Sequence, residues 1–459
     1  MRCLYLGLLS FVLFLAACSP PPEMVEQKKP APKKNSLYEF KDVPPSPFVQ
    51  VHGNKFYLQG KPYRFAGANV WYAAYLGSEK PDVGNRERLI RELDLLKATG
   101  VTNLRILGAS ERSPLENSLE PAISDKQGII REDLLTGLDF ALAEMAKRDM
   151  KAVIYLSNFW EWSGGMMTYL SWVNNGEYIN LGDPDHPWPA FALATAEFYK
   201  NEDAINLYYQ YVKQLVTRVN SVTGEPYVND PTIMSWQLAN EPRPGDGEQS
   251  QANLPAYFDW IRNTVDLIKS LDNNHLVSVG SEGTKGCLEM PECFLGAHAG
   301  NRVDYATFHL WPKNWGWYDA EDPQNTFGEA MRHTDAYISQ HIKMAEQLRL
   351  PLVLEEFGLE RDGGKASREA DVTFRNNYYQ YVFSRVVGSA LTGGSLVGTN
   401  IWAWGGYGEA QHGDYKWQPG DKSYVGDPPQ EPQGLNSVFA TDATTLDILK
   451  AHSATLQQH

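Results

Sequence analysis

The stretch Arg86-Glu87-Arg88-Leu89-Ile90-Arg91-Glu92-Leu93-Asp94-Leu95-Leu96, followed by Thr102-Asn103-Leu104-Arg105-Ile106-Leu107, decides the fold. In the first segment, apolar residues recur at helical spacing beside a charged face. The second is a short apolar run of the kind that forms a strand buried on both sides. Outward from this pair the same unit recurs. Strands are expected over 64–70, 102–107, 151–156, 232–239, 275–279, 304–309, 352–356 and 396–404. Amphipathic helices are expected over 85–99, 131–148, 202–222, 254–271, 329–348 and 368–390, while 287–301 reads as loop. Eight strand-helix units predict an α/β fold, a (β/α)8 TIM barrel forming one large domain over 48–459 with long βα loops. No Gly-rich phosphate turn follows the first strand, which counts against a nucleotide-binding sheet.

With 459 residues and a formal net charge of −15, the chain lacks the concentrated basic face that nucleic acid requires, so no nucleic-acid partner is expected. Its 13 Trp and 24 Tyr provide flat apolar faces with polar edges, suited to sugars as well as to a large core.

The N-terminal segment has its own logic. Arg2 precedes an apolar run from Leu4 to Leu15 that is too short for a stable membrane span, which marks 1–17 as an export signal. The end of that run, Leu15-Ala16-Ala17-Cys18, resembles the bacterial lipobox. This resemblance implies lipidation of Cys18, and Ser19 after it implies the outer membrane of a Gram-negative bacterium. Residues 18–47, rich in Pro and Lys, read as a tether. The lipid is the only membrane contact expected. Cys287 and Cys293 are the remaining pair in an exported body and are expected to form a local disulfide. No HExxH or paired CxxC occurs, so no metal and no cofactor are expected.

In a barrel of this type the chemistry sits where strands end and loops begin. The fourth strand ends Trp236-Gln237-Leu238-Ala239-Asn240-Glu241-Pro242 and the seventh Leu352-Val353-Leu354-Glu355-Glu356-Phe357-Gly358, each bringing a carboxylate to that rim. Two carboxyls about 5 to 5.5 Å apart are what a retaining glycosidase uses, one as nucleophile and one as acid/base. Strand alternation points Glu355 away from Glu356, into the barrel wall or toward the helices, and assigns it no catalysis. Long loops at 158–201 and 405–433 are expected to shape a substrate cleft.

These two motifs, with Arg105 on the second strand, His309 ending the sixth and Trp402 on the eighth, resemble glycoside hydrolase family 5 over roughly residue 47 to the end. The resemblance implies Glu241 as acid/base and Glu356 as nucleophile. It also implies that Arg105 supports the nucleophile's charge, Asn240 holds the sugar 2-OH, His309 bonds near the reacting sugar and Trp402 forms the floor. The family commonly has His-x-Tyr after the sixth strand, where this chain has His309-Leu310-Trp311; an indole N–H can still donate to Glu356 but cannot accept a proton.

Ser157-Asn158-Phe159-Trp160-Glu161-Trp162-Ser163-Gly164-Gly165, Asn240-Glu241-Pro242-Arg243 and Phe308-His309-Leu310-Trp311-Pro312 resemble the mannanase branch. The expected partners are therefore β-mannan-derived oligosaccharides, and a monomer is the expected state. The loop 405–433 could wall off one end of the cleft, which favours an exo-acting β-mannosidase over an endo-mannanase. Trp71 and Trp160 are the expected stacking platforms, ahead of Trp162, Trp315 and Trp317. A non-catalytic glycan-binding lipoprotein is the alternative of another class, and the presence of both glutamates opposes it.

Overall fold

The computed structural model describes residues 43–300 and 303–458. The signal segment, Cys18 and most of the expected tether lie outside the described residues. Eight strands form one parallel sheet: β1 Phe65–Asn69, β2 Asn103–Leu107, β3 Lys151–Tyr155, β4 Ile233–Gln237, β5 Leu276–Ser278, β6 Ala306–Leu310, β7 Leu352–Phe357 and β8 Leu396–Ile401. The ladder runs β5-β4-β3-β2-β1-β8-β7-β6. The seam between β5 and β6 is joined through Asp304, whose N–H donates to Val277 O across 2.9 Å and whose carboxylate accepts from Val277 N across 2.7 Å. The sheet thereby comes round as a (β/α)8 barrel.

Alternation along the strands sorts side chains into two cores. Leu104, Ile106, Leu352 and Leu354 face the surrounding helices. Val153, Met234, Leu276, Tyr305, Val353 and Val397 fill the interior. Burial on both faces explains why the strands are rich in apolar residues, and the polar ones among them, such as Asn103, Arg105 and Gln237, are buried as well.

The lower end of the barrel is closed by a three-stranded antiparallel sheet, Gln50–His52, Lys55–Leu58 and Lys61–Tyr63, that the apolar pattern does not disclose. Its second hairpin turns on Gln59 and Gly60, both at positive φ, 53° and 73°, as a tight two-residue turn requires. A Cβ on Gly60 would lie 2.9 Å from Val43 O, so the chain before the sheet packs against this turn. Residues 43–47, assigned to the tether by composition, therefore already pack on the body, with Val43 buried. Val49 and Phe56 reach into the interior core, and the Phe56 ring meets Tyr305 edge-on at 5.3 Å.

The helices expected from periodicity are present with shifted ends; Pro323–Leu348, for example, starts at a proline six residues before the expected position. The segment 287–301, read as loop, instead contains the helix Pro291–His298. Its eight residues are too few to display a period, and it is tied back by the Cys287–Cys293 disulfide. The loop 158–201 also carries helical pieces, Gly165–Val173 and Ala190–Thr195.

Candidate active site

The upper ends of β4 and β7 hold the two carboxylates by different means. Past β4, Asn240 N–H donates to Ser157 O (2.8 Å) and Glu241 N–H to Gly280 O (2.9 Å), which clamps the segment between the neighbouring strand ends. The clamp holds Glu241 at φ 50°, a left-handed conformation that a non-glycine residue adopts only when its surroundings impose it. In β7, the pairing with β6 matches Phe308 with Leu354 and then His309 with Glu356, skipping Glu355. Glu355 continues the inward face of Val353, and the bulge brings Glu356, which alternation would turn toward the helices, to the same side. Glu355 is not turned away: its Oε2 accepts from Gln237 Nε2 at 2.5 Å and lies 3.7 Å from Arg105 Nε, so it shares a guanidinium with Glu356.

Arg105, fully buried on β2, spends its donors on one constellation. Nε donates to Gln237 Oε1 (2.8 Å), Nη1 to Asn69 Oδ1 (3.1 Å) and Glu356 Oε2 (3.0 Å), and Nη2 to Asn240 Oδ1 (2.7 Å). The other oxygen of Glu356 accepts from Trp311 Nε1 at 3.0 Å. Glu241 is bound by Trp160 Nε1 at Oε2 and by His309 Nδ1 at Oε1, each at 2.5 Å. One ligand atom each from Glu241, His309 and Glu356 lies within 4.8 Å of the others. The three could geometrically surround a cation, but Arg105 already places a positive charge beside Glu356, and indole N–H groups occupy an oxygen of each carboxylate. That donor arrangement fits an anionic nucleophile better than a metal.

Burial raises the affinity of both carboxyls for protons. For Glu241, burial outweighs Arg243, the Trp160 N–H and Arg105. For Glu356, burial is reinforced by the charge of Glu241 and opposed by Arg105 and Trp311. Two carboxylates this close cannot both ionise freely, so the pair holds a proton more tightly than either carboxyl would alone. The Arg105 guanidinium on Glu356 favours leaving that proton on Glu241. Burial, then Arg105, pushes His309 far below the usual imidazole range, so its ring is neutral.

These groups open into a cleft of about 450 Å³. Asn240, Glu241, Glu356, Trp160, Trp311 and Trp402 all line it. Trp402 is buried, meets Trp311 edge-on at 6.2 Å and leaves its Nε1 without a hydrogen-bond partner among the described residues. Trp160 stands in the cleft wall, but its N–H is committed to Glu241 and the Arg243 guanidinium covers its ring at 4.9 Å. Trp71 is not a platform. It is 1% exposed, donates to Gly426 O at 2.9 Å and packs against Trp162 and Tyr424, because the loop after β8 folds over it.

The sequence assigns no role to some cleft residues. Arg243 forms an ion pair with buried Glu282, whose carboxyl burial pushes up to about 7. Trp188 lies on the cleft lip, in a Pro-rich stretch that reads only as loop. From the loop after β8 come Pro428, Gln430 and Glu431, and burial, then Asp427, raises Glu431 to about 8. Asp427 organises that loop by accepting from Gly434 N (2.8 Å), Asn436 N (2.7 Å), Ser437 N (3.2 Å) and Ser437 Oγ (2.5 Å).

Comparison with known proteins agrees with this geometry. A family profile described as "GH family 5 beta-mannosidase-like" matches residues 46–459. A glycoside hydrolase family 5 mannosidase from Rhizomucor miehei superposes with a TM-score of 0.81 at 32% identity, covering 90% of this chain and 98% of that one. An endo-1,4-β-D-mannanase from Thermotoga petrophila gives 0.62 at 25% identity, covering 85% and 99%. A putative mannan endo-1,4-β-mannosidase 9 from Oryza sativa subsp. japonica is 30% identical over 374 residues, 79% of this chain and 83% of its own.

Proposed function

The chain belongs to glycoside hydrolase family 5, in its β-mannosidase-like group, and from that premise we propose that it releases mannose from the ends of β-1,4-manno-oligosaccharides. The observation that carries the chemistry is the carboxyl pair within 4.8 Å, one member bound to a guanidinium and the other to the Trp160 indole and His309. Members of this family are retaining hydrolases, and the proposed roles follow from the geometry. Glu356, kept anionic by Arg105 and Trp311, attacks the anomeric carbon while Glu241 passes its proton to the leaving oxygen. Once Glu356 is esterified, its charge no longer opposes ionisation of Glu241. That carboxyl then acts as base for the water that frees the sugar with retained configuration. The assigned substrate contacts are Asn240 at the 2-OH, His309 beside the reacting sugar and Trp402 beneath it.

Removal of terminal units, rather than cleavage in mid-chain, is favoured by two observations. Pro428, Gln430 and Glu431 close on the cleft from the loop after β8. The chain also superposes better on the R. miehei mannosidase than on the T. petrophila endo-mannanase. Digestion of mannohexaose tests this: mannose should appear from the first time point, and an early ladder of mid-length products would overturn the exo assignment. We also propose that Cys18 carries a lipid that anchors the enzyme at the outer membrane, on the strength of Leu15-Ala16-Ala17-Cys18. Cys18→Ser should then move activity from the membrane fraction to the soluble fraction.

A further inference from the structure

Trp188 is one of the few large apolar side chains left in solvent, 48% exposed, and it lines the catalytic cleft. An indole so exposed would ordinarily sample several rotamers, but this one is fixed. Its Nε1 donates to Asp246 Oδ2 at 3.0 Å, and its ring lies 6.2 Å from that of Trp160, tilted by only 25°. Trp160 in turn donates to Glu241. The two rings are therefore stacked nearly parallel, and together they form a wall that begins at the general acid and runs outward one ring further. The acid delivers its proton to the leaving oxygen, so a wall extending from it follows the leaving-group part of the substrate. Glu431 lines the cleft from the loop after β8 instead.

We infer that Trp188, held by Asp246, is the stacking platform for the second sugar on the leaving-group side of the cleaved bond. Its ligand is a pyranose ring presenting an apolar C–H face, which a fixed aromatic surface binds at little entropic cost. The inference rests on the glycosidase reading of the cleft but not on the exo mode.

The test compares kcat/KM on mannobiose, which ends before Trp188, with that on mannotriose, which reaches it. In Trp188→Ala the mannotriose-to-mannobiose ratio should fall about tenfold, the scale of one stacked ring. Trp188→Phe should retain most of the ratio, and Asp246→Ala should lower it by a smaller factor. A purely structural role would depress both substrates together. A ratio equal to that of the wild type in Trp188→Ala and Asp246→Ala overturns the platform. Asp246→Ala alters only a lip residue, so it gives a reading even if Trp188→Ala does not fold. A ladder from wild-type digestion of mannohexaose would remove the exo reading, and the platform would then be read from mannotriose labelled at its reducing end. Its yield of labelled mannobiose over labelled mannose should fall about tenfold in Trp188→Ala and stay unchanged if there is no platform. Mannose-only release with an unchanged ratio would remove the platform alone.

Discussion

Arg105 Nη1 lies 3.0 Å from Glu356 Oε2 in a site where the guanidinium is wholly buried. The same group is within 3.7 Å of Glu355, so one cation serves two adjacent carboxyls. Arg105→Ala should leave both without a counter-charge and destabilise the fold by about 3–5 kcal/mol, visible as a lower denaturant midpoint. Arg105→Lys keeps the charge but not the fork, and kcat should fall on the order of 100-fold with a smaller loss of stability.

Removing either carboxylate separates the two proposed roles. Glu356→Ala should abolish turnover of every mannoside. Glu241→Ala should lose about 10²–10⁴-fold on oligosaccharides, yet still react with aryl mannosides whose leaving group needs no proton. Azide added to Glu241→Ala should give β-mannosyl azide. An α-linked azide would contradict double displacement.

The two indole donors make opposite limbs of the pH profile separately adjustable. The N–H of Trp160 stabilises ionised Glu241, so Trp160→Phe should raise the pKa of Glu241. The acid then stays protonated to higher pH, and the alkaline limb of kcat/KM moves up. The N–H of Trp311 stabilises ionised Glu356, so Trp311→Phe should raise that pKa and move the acidic limb up. Profiles from pH 4 to 9 would reveal both; movement of the same limb in the two variants would contradict the assignment.

Asp427 anchors the loop that closes on the cleft, and it does so through four hydrogen bonds to 434–437. Asp427→Ala should cost about 2–4 kcal/mol of stability, because three loop N–H groups lose a charged acceptor in a buried place. Mid-chain products from mannohexaose should increase at the same time if this loop limits the cleft. Unchanged products with lowered stability would restrict Asp427 to a structural role.

The barrel and the meeting of the two carboxyls were legible because each of those glutamates sits at the end of a strand rich in apolar residues. Glu241 and Glu356 could be placed on one rim before any coordinate was known. Features made by contacts between distant segments were not legible. That Glu355 and Glu356 share one side depends on a bulge that alternation does not encode. Trp71 looks like any rim tryptophan until the chain near Gly426 covers it. The strands of the lower sheet are three or four residues long, and the helix Pro291–His298 spans two turns, both too short for a repeating pattern to stand out. Trp188 carries no motif at all, since its importance comes from Asp246 and Trp160, which lie far from it along the chain.

The small sheet beneath the barrel has a bearing on the reaction above it. With Phe56 and Val49 driven into the lower mouth, the barrel is a vessel with one opening, and reactants, products and the hydrolytic water must use the same doorway. On the proposed reading, a sugar resting on Trp402 would itself be the stopper, and while seated it would shield the Arg105–Glu356 pair from bulk solvent, strengthening the field between them.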